Sequence, residues 1–290
     1  MKNLLFSILK FILGKIPLWC VRFLGCVLGI MVLFISKRTR CRTRDNLIRT
    51  HFATPKNASY RTLLVAMELG KTLMESICIA WIRPQQYSYR LIKRWGGIEH
   101  LLNIQQQNKP IIFLTPHIGN FEIFLKAAAN IFNKNMTILY KPSKNNKFNT
   151  AMQNGRTQTN IIPVPISKHG IIKLIKALKN KEYIGILPDS VASAGDGVWV
   201  DFFNNTVFAT TLAAKLILNH TDAEILIGIN NRVFGGFEVD FIPYKKHTNN
   251  KEIIVQDVYN IIENAVKKNP YQYFWSYNRF RTPDHAKKQI

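Results

Sequence analysis

At 290 residues, 47% hydrophobic and only 20% charged, the chain can bury a sizeable core and is not a disordered one. Forty Lys and Arg against seventeen Asp and Glu leave a net charge of +23, far from the balance of an ordinary cytosolic enzyme. Such an excess asks for an anionic partner, whether nucleic acid, a phospholipid surface or a phosphorylated substrate. Cys20, Cys26, Cys41 and Cys78 form no C-x-x-C pair, which argues against a disulfide framework or a zinc site and suits a reducing compartment.

Residues 3–36 are apolar except for Lys10, Lys15 and Arg22. The uninterrupted apolar run, 23–36, is too short to cross a bilayer of about 30 Å at about 1.5 Å per residue. Adding 16–22 makes it long enough, at the cost of one arginine and a proline. Lys15 and Arg22 fall on nearly one helical face and could snorkel together, so a tilted span and an in-plane amphipathic helix are both open. Charges interrupt the apolar stretch and no small-x-small site ends it, so a cleaved signal peptide fits poorly. The exit reads KRTRCRTR from Lys37 to Arg44. That cluster is a positive-inside signal and a binder of anionic headgroups, in preference to a nucleic-acid arm. Residues 1–44 therefore read as a membrane anchor with a basic exit, and 45–290 as one further domain.

Past residue 45, helices and strands alternate. A helix is predicted over 63–81, ending before Pro84, then a strand over 89–95. Gly96-Gly97 punctuates it ahead of a helix to residue 107. The apolar run 110–115 reads as a buried strand. It leads into Pro116-His117-Ile118-Gly119-Asn120-Phe121-Glu122 and a helix to about 132. Strands follow at 136–140 and 161–165, a helix at 169–178, and a strand at 183–187 ending on Pro188-Asp189. Thr210 is expected to cap a helix to 219, ahead of strands at 224–230 and 237–242 and a helix over 252–267. This alternation indicates an α/β fold with a mostly parallel sheet flanked by helices, carrying an N-terminal membrane-associated helix.

Two motifs are decoys. Gly70-Lys71-Thr72 has Val65 where a P-loop needs its first glycine, and it falls inside a helix. Gly195-Asp196-Gly197 lacks the third glycine of a dinucleotide turn and its strand-to-helix context. Neither a Gly-x-Ser-x-Gly elbow nor a His-Glu-x-x-His motif is present. His117 and Glu122 stand apart because they lie at a strand-to-helix turn, where open α/β sheets bind ligands. An imidazole can take a proton from an attacking hydroxyl, and a carboxylate on its other nitrogen fixes the tautomer. The bland alternative is a capping histidine and a solvated glutamate.

TPHIGNFE, residues 115–122, resembles the His-x-x-x-x-Asp/Glu box of glycerolipid-type acyltransferases, in the variant with Glu seen in bacterial lipid A late acyltransferases. LYKP with Asn154-Gly155-Arg156 resembles that family's arginine-containing tract. Residues 187–211 resemble its Pro-Asp-Gln … Phe-Phe-Gly … Thr block, and 269–283 its terminal Pro-x-Gln-Tyr-x-Trp-x-His-x-Arg-Phe signature. Ser190 replaces the usual Gln, Asn205 the usual Gly and Tyr277 the usual His.

The resemblance implies a membrane-bound O-acyltransferase of lipid A late acylation. It would move a fatty acyl group from acyl carrier protein to a hydroxyacyl chain of a phosphorylated, Kdo-bearing acceptor. His117 would be the base and Glu122 its orienter, with Arg156 near an oxyanion or acceptor phosphate. Asn120, Asp189 and Arg279 would support them. Neither metal nor bound cofactor is implied. The partners expected are acyl carrier protein, an anionic glycolipid and inner-membrane lipid, not nucleic acid, with the catalytic domain on the cytoplasmic face of a bacterial inner membrane. An acceptor such as lysophosphatidate is the rival enzyme reading, but no Glu-Gly-Thr-Arg block accompanies it. A tethered nucleic-acid binder is the rival from another class, and its motifs are missing. Between residues 123 and 181 the chain has no Asp or Glu and eleven Lys and Arg, which reads as a basic face for lipid phosphates or an acidic carrier protein. Phe202, Phe203 and Phe208 could line an acyl channel, plain core being the commoner role of such residues.

Overall fold

The computed structural model describes residues 13–143, 146–157, 160–193, 195–284 and 286, so the start of the expected anchor, with Lys10, lies outside the described residues, as does Lys144. The domain is an α/β fold built on seven strands: β1 (Ile92–Gly96), β2 (Ile111–Leu114), β3 (Met136–Tyr140), β4 (Ile161–Pro165), β5 (Tyr183–Ile186), β8 (Glu224–Val233) and β9 (Gly236–Tyr244). Their spatial order is β1-β9-β8-β2-β5-β3-β4. Only the β8–β9 hairpin is antiparallel. A separate antiparallel pair, β6 (Gly197–Asp201) and β7 (Thr206–Thr210), was not foreseen.

The central strands are buried on both faces, which is why they read as continuous apolar runs rather than alternating ones. Period-two geometry divides them. Ile112, Leu114, Ile184 and Ile227 face a core shared with the helices Lys168–Lys179 and Lys251–Lys268 and with the β6–β7 pair. Ile111, Phe113, Tyr183 and Leu226 face a second core with the helices Ile98–Gln106 and Phe121–Ala128.

The helices in chain order are α1 (Leu18–Ile35), α2 (Lys37–Arg49), α3 (Ala58–Glu75), α4 (Gln85–Arg90), α5 (Ile98–Gln106), α6 (Phe121–Ala128), α7 (Asn146–Arg156), α8 (Lys168–Lys179), α9 (Leu212–Asn219) and α10 (Lys251–Lys268). A π-helical turn, Ser76–Ala80, continues α3. The expected strand at 89–95 begins three residues later, because Pro84 opens the short helix α4 in its place. The basic cluster is itself helical: Ser36 caps α2 by accepting from the Thr39 N–H at 3.2 Å. Thr211, rather than Thr210, stands at the N-cap of α9.

Helix α1 is long and apolar enough to cross a membrane, judged by length and composition. Its buried residues, Val21, Gly25, Gly29 and Leu33, recur every four positions along one face. A Cβ on Gly29 would lie 1.9 Å from the Ala66 carbonyl oxygen, and one on Gly70 would lie 2.0 Å from the Gly25 oxygen. The two helices therefore touch backbone to backbone, and the P-loop decoy is explained: Gly70 is the small residue that admits α1.

Arg22 does not snorkel. Its Nε donates to Glu75 Oε1 at 2.8 Å, and its Nη1 and Nη2 donate to the carbonyls of Val233 and Gly236, each at 2.8 Å. Glu75, fully buried, also pairs with Arg232 at 2.7 Å. Burial alone would raise the Glu75 carboxyl, and Arg232 and Arg22 reverse this and hold it below its ordinary value. Gly29→Leu should therefore destabilise the protein by about 1–3 kcal/mol through overpacking. Thermal unfolding in detergent checks this, with Val27→Leu on the opposite, exposed face as a control that changes little.

Candidate active site

β2 and β5 are neighbouring parallel strands, and their carboxyl ends deliver residues 115–122 and 187–190 side by side. This is the edge at which open α/β sheets hold ligands. Thr115 Oγ1 donates to the Gly228 carbonyl at 2.9 Å and fastens the first segment to β8. Gly119 adopts φ +59°, and a Cβ there would stand 1.8 Å from the Asn230 carbonyl oxygen. Only glycine fits the turn. Asn120 then caps α6, its Oδ1 accepting from the N–H groups of Glu122 and Ile123, both at 3.1 Å. Its Nδ2 donates to Thr72 O at 3.1 Å and Glu75 Oε2 at 3.2 Å.

The terminal aromatic tract grips this loop from the other side. Gly119 N–H donates to Gln272 O at 3.0 Å, Phe274 N–H donates to His117 O at 3.0 Å, and Ile118 pairs with Tyr273 as an isolated bridge. Asn46 of α2 in turn holds Trp275 by donating to its carbonyl at 2.7 Å. Sequence blocks more than 150 residues apart thus form one structural unit.

His117 Nδ1 lies 2.8 Å from Asp189 Oδ1, and the His117 backbone N–H donates to Oδ2 at 3.1 Å. Tyr273 OH and Arg279 Nη2 also donate to Oδ2, each at 3.1 Å. Burial by itself would raise the Asp189 carboxyl. The interactions with His117 and with the Arg279 guanidinium outweigh that and hold it well below the usual carboxylate range. An ionised Asp189 keeps the proton on Nδ1, which leaves Nε2 with its lone pair as an acceptor. The ring sits between Phe121, edge-on at 5.4 Å, and Phe274 at 5.7 Å.

This corrects the expected pairing. Asp189, not Glu122, is the carboxylate on His117. It arrives 72 residues later in the chain, in the segment that follows the neighbouring strand β5, so no local spacing could show it. Glu122 sits in the first turn of α6 and turns instead to Arg156 at the end of α7. Arg156 Nε donates to Oε2 at 3.0 Å, its Nη2 to Oε1, and Trp81 Nε1 to Oε2 at 3.3 Å. Trp81 stood in no motif, and Tyr273, although inside the terminal signature, was not singled out as a polar partner. The expectation of a solvated glutamate fails as well, since Glu122 is buried.

His117, Glu122 and Arg156 all line one cavity of about 510 Å³, within the span of about 300–1,000 Å³ common for ligand sites. The rest of its wall is largely apolar, with Leu28, Val32 and Leu33 from α1 and Leu69 and Leu73 from α3. Phe202, Phe203 and Phe208 do not line it; they are buried core. Lys126, counted in the basic stretch, is not on a solvated face either. It is buried, with Nζ donating to Ala80 O at 2.6 Å and Arg83 O at 2.5 Å. Asp196 of the second decoy accepts from Thr211 Oγ1 at 2.6 Å at the start of α9. Tyr277, where the family has His, accepts from the Val191 N–H at 3.1 Å.

Asp189→Asn should cost about 3–5 kcal/mol near neutral pH, because Arg279 is left as an uncompensated buried cation. A carboxyl whose native pKa is depressed stabilises the fold above its unfolded value of about 3.9, and that contribution fades as the pH falls below it. Denaturant unfolding across pH should therefore show the wild-type advantage over Asp189→Asn intact at neutral pH and shrinking below about pH 4.

The family model described as bacterial lipid A biosynthesis acyltransferase matches residues 3–282. A lipid A biosynthesis palmitoleoyltransferase of Escherichia coli (strain K12) is 24% identical over 276 residues, covering 92% of this chain and 86% of the relative. A lipid A biosynthesis acyltransferase of Shigella flexneri aligns with the same figures. One from Haemophilus influenzae (strain ATCC 51907 / DSM 11121 / KW20 / Rd) is 24% identical over 267 residues, covering 87% of this chain and 81% of its own. With almost the whole chain matched, three of the four blocks that suggested the resemblance lining one cavity and the fourth supplying Asp189 to His117, this protein belongs to the bacterial lipid A biosynthesis acyltransferase family.

Proposed function

We propose that this lipid A biosynthesis acyltransferase moves a fatty acyl chain from an acyl carrier protein thioester to a hydroxyl on a hydroxyacyl chain of a Kdo-bearing lipid A precursor. It would do so at a bacterial inner membrane, with the catalytic domain on the cytoplasmic face. The observation that carries the reading is a histidine whose Nδ1 is fixed by a fully buried carboxylate 2.8 Å away, in the wall of an apolar cavity. The apolar α1 and the basic α2 that follows it support membrane attachment.

In the proposed step, His117 Nε2 accepts the proton of the acceptor hydroxyl as its oxygen attacks the thioester carbonyl. The imidazolium that forms is stabilised by Asp189. Collapse of the tetrahedral intermediate breaks the carbon–sulfur bond, and the imidazolium returns the proton to the departing thiolate. One ester forms and one thioester is consumed, without a metal or bound cofactor. Asp189 is a positioning residue, itself oriented by Tyr273 and Arg279. Arg156, gripped by Glu122, is our candidate for the acceptor's anionic group or the developing oxyanion. The apolar cavity wall suits an acyl chain.

His117→Ala should lower turnover by roughly 10²–10⁴-fold, the usual contribution of a general base, with the fold retained. Asp189→Asn should lose nearly as much turnover, and the double variant should be little worse than the worse single one, because the two act as a unit. Multiplicative losses would separate them. Glu122→Gln and Arg156→Gln should each raise KM for the phosphorylated acceptor more than they lower kcat. The test of the whole reading is purified protein offered acyl carrier protein thioester or acyl-CoA, against a Kdo-bearing lipid A precursor or lysophosphatidate, with products read by mass spectrometry. Acylation of lysophosphatidate alone would overturn the proposed acceptor.

A further inference from the structure

One face of α1 packs on the protein, and the opposite face is apolar and uncovered among the described residues. Trp19, Phe23, Met31, Phe34 and Ile35 are 71%, 63%, 52%, 74% and 80% exposed. The packed face runs the length of the helix, from Val21 through Gly25 and Gly29 to Leu33. Against it lie α3 and, through Arg22, the tip of the β8–β9 hairpin.

A helix crossing the bilayer in this packing would carry α3 and that hairpin into the hydrocarbon. With them would go the ionic cluster of buried Glu75 and Arg232 and half-buried Glu68 and Arg22. Each such charge is costly at the bilayer centre, and the outer edge of β1, the end strand of the sheet, is one that lipid cannot satisfy.

The hairpin tip points to the alternative. Val233 pairs with Gly236, leaving Phe234 and Gly235 as the turn. Phe234 is 101% exposed, in a position usually held by a polar or turn-forming residue. Arg22 grips the carbonyls on both sides of this turn at 2.8 Å, so the position of Phe234 relative to α1 is fixed. Lys93 of β1, which lies beside Gly235 and Gly236, is exposed, as suits an anionic headgroup layer.

We infer that the described part of this protein is monotopic: α1 lies in the plane of a phospholipid surface, apolar face down, and Phe234 is a second point of insertion. The charge of the chain, +23, matches an anionic bilayer better than a second copy of itself. The seat also places the cavity walls of α1 at the lipid boundary, so an acyl chain can pass from bilayer to His117 without entering water.

The test is depth measurement on the full chain in phosphatidylethanolamine/phosphatidylglycerol vesicles. Its four native cysteines are replaced by serine or alanine, and single nitroxide labels are introduced through Trp19→Cys, Val27→Cys, Ile35→Cys and Phe234→Cys. The expected result is four similar, shallow depths. Val27 deepest, with Trp19 and Ile35 at opposite headgroup layers, would establish a span and overturn the inference; so would a label at 234 that stays in water. Protection of the α1 labels without lipid, together with a dimeric mass in sedimentation, would assign the face to a second copy and overturn it too. Independently, Phe234→Ser should weaken vesicle partitioning by roughly tenfold, the order expected for withdrawing one aromatic side chain, while leaving the thermal transition unchanged. The readouts do not involve acyl transfer, so they stand whatever the acceptor proves to be.

Discussion

The buried carboxylate of Asp189 is the contact on which the site depends. Four donors converge on its two oxygens: the His117 ring and backbone, the Tyr273 hydroxyl and the Arg279 guanidinium. Removing such a group from water is expensive, and it persists because both oxygens are hydrogen-bonded and the Arg279 cation is in contact. The same contact that orients the imidazole also closes the loop after β2 against the end of β5 and against the terminal tract. Site geometry and local stability are therefore inseparable here.

A second ionic centre, Glu75 with Arg232 and Arg22, does for the anchor what Asp189 does for the loop. It joins α3, β8 and α1, and Asn120 touches it through Glu75 Oε2. The two centres are linked through one short segment: Asn120 caps α6 three residues after His117. The apolar helix is consequently a wall of the cavity, not a tether, and the chemistry is joined physically to the surface from which a lipid would come.

The basic character of the chain has several origins. Arg22, Arg232 and Arg279 are bound to carboxylates, and Lys126 to backbone carbonyls, in positions shielded from solvent. These cations organise the structure. The exposed lysines of α8, such as Lys173, remain available to an anionic surface or partner. A net charge counted from composition does not distinguish the two groups.

Much of this was legible in the sequence. The parallel strands appear as short apolar runs because both faces are buried, and β3 and β4 fall where the runs do. The long apolar N-terminus, the strand-to-helix turn carrying His117 and the family blocks are local patterns, and local patterns survive in one dimension. The extended stretch before β1 was misjudged, because Pro84 opens a helix whose sequence carries no apolar period. The β6–β7 hairpin was missed, because its turn uses Phe203 and Asn204 at positive φ rather than glycine. What the tertiary structure alone decided is which carboxylate meets the histidine. Glu122 is close in sequence, but the Asn120 cap starts a helix that turns it toward Arg156. Asp189 is distant in sequence, yet strand order sets β5 beside β2. Hydrogen-bonded sheet register, not chain spacing, chooses the partner, and for that reason the residues could be recognised from the sequence while their pairing could not.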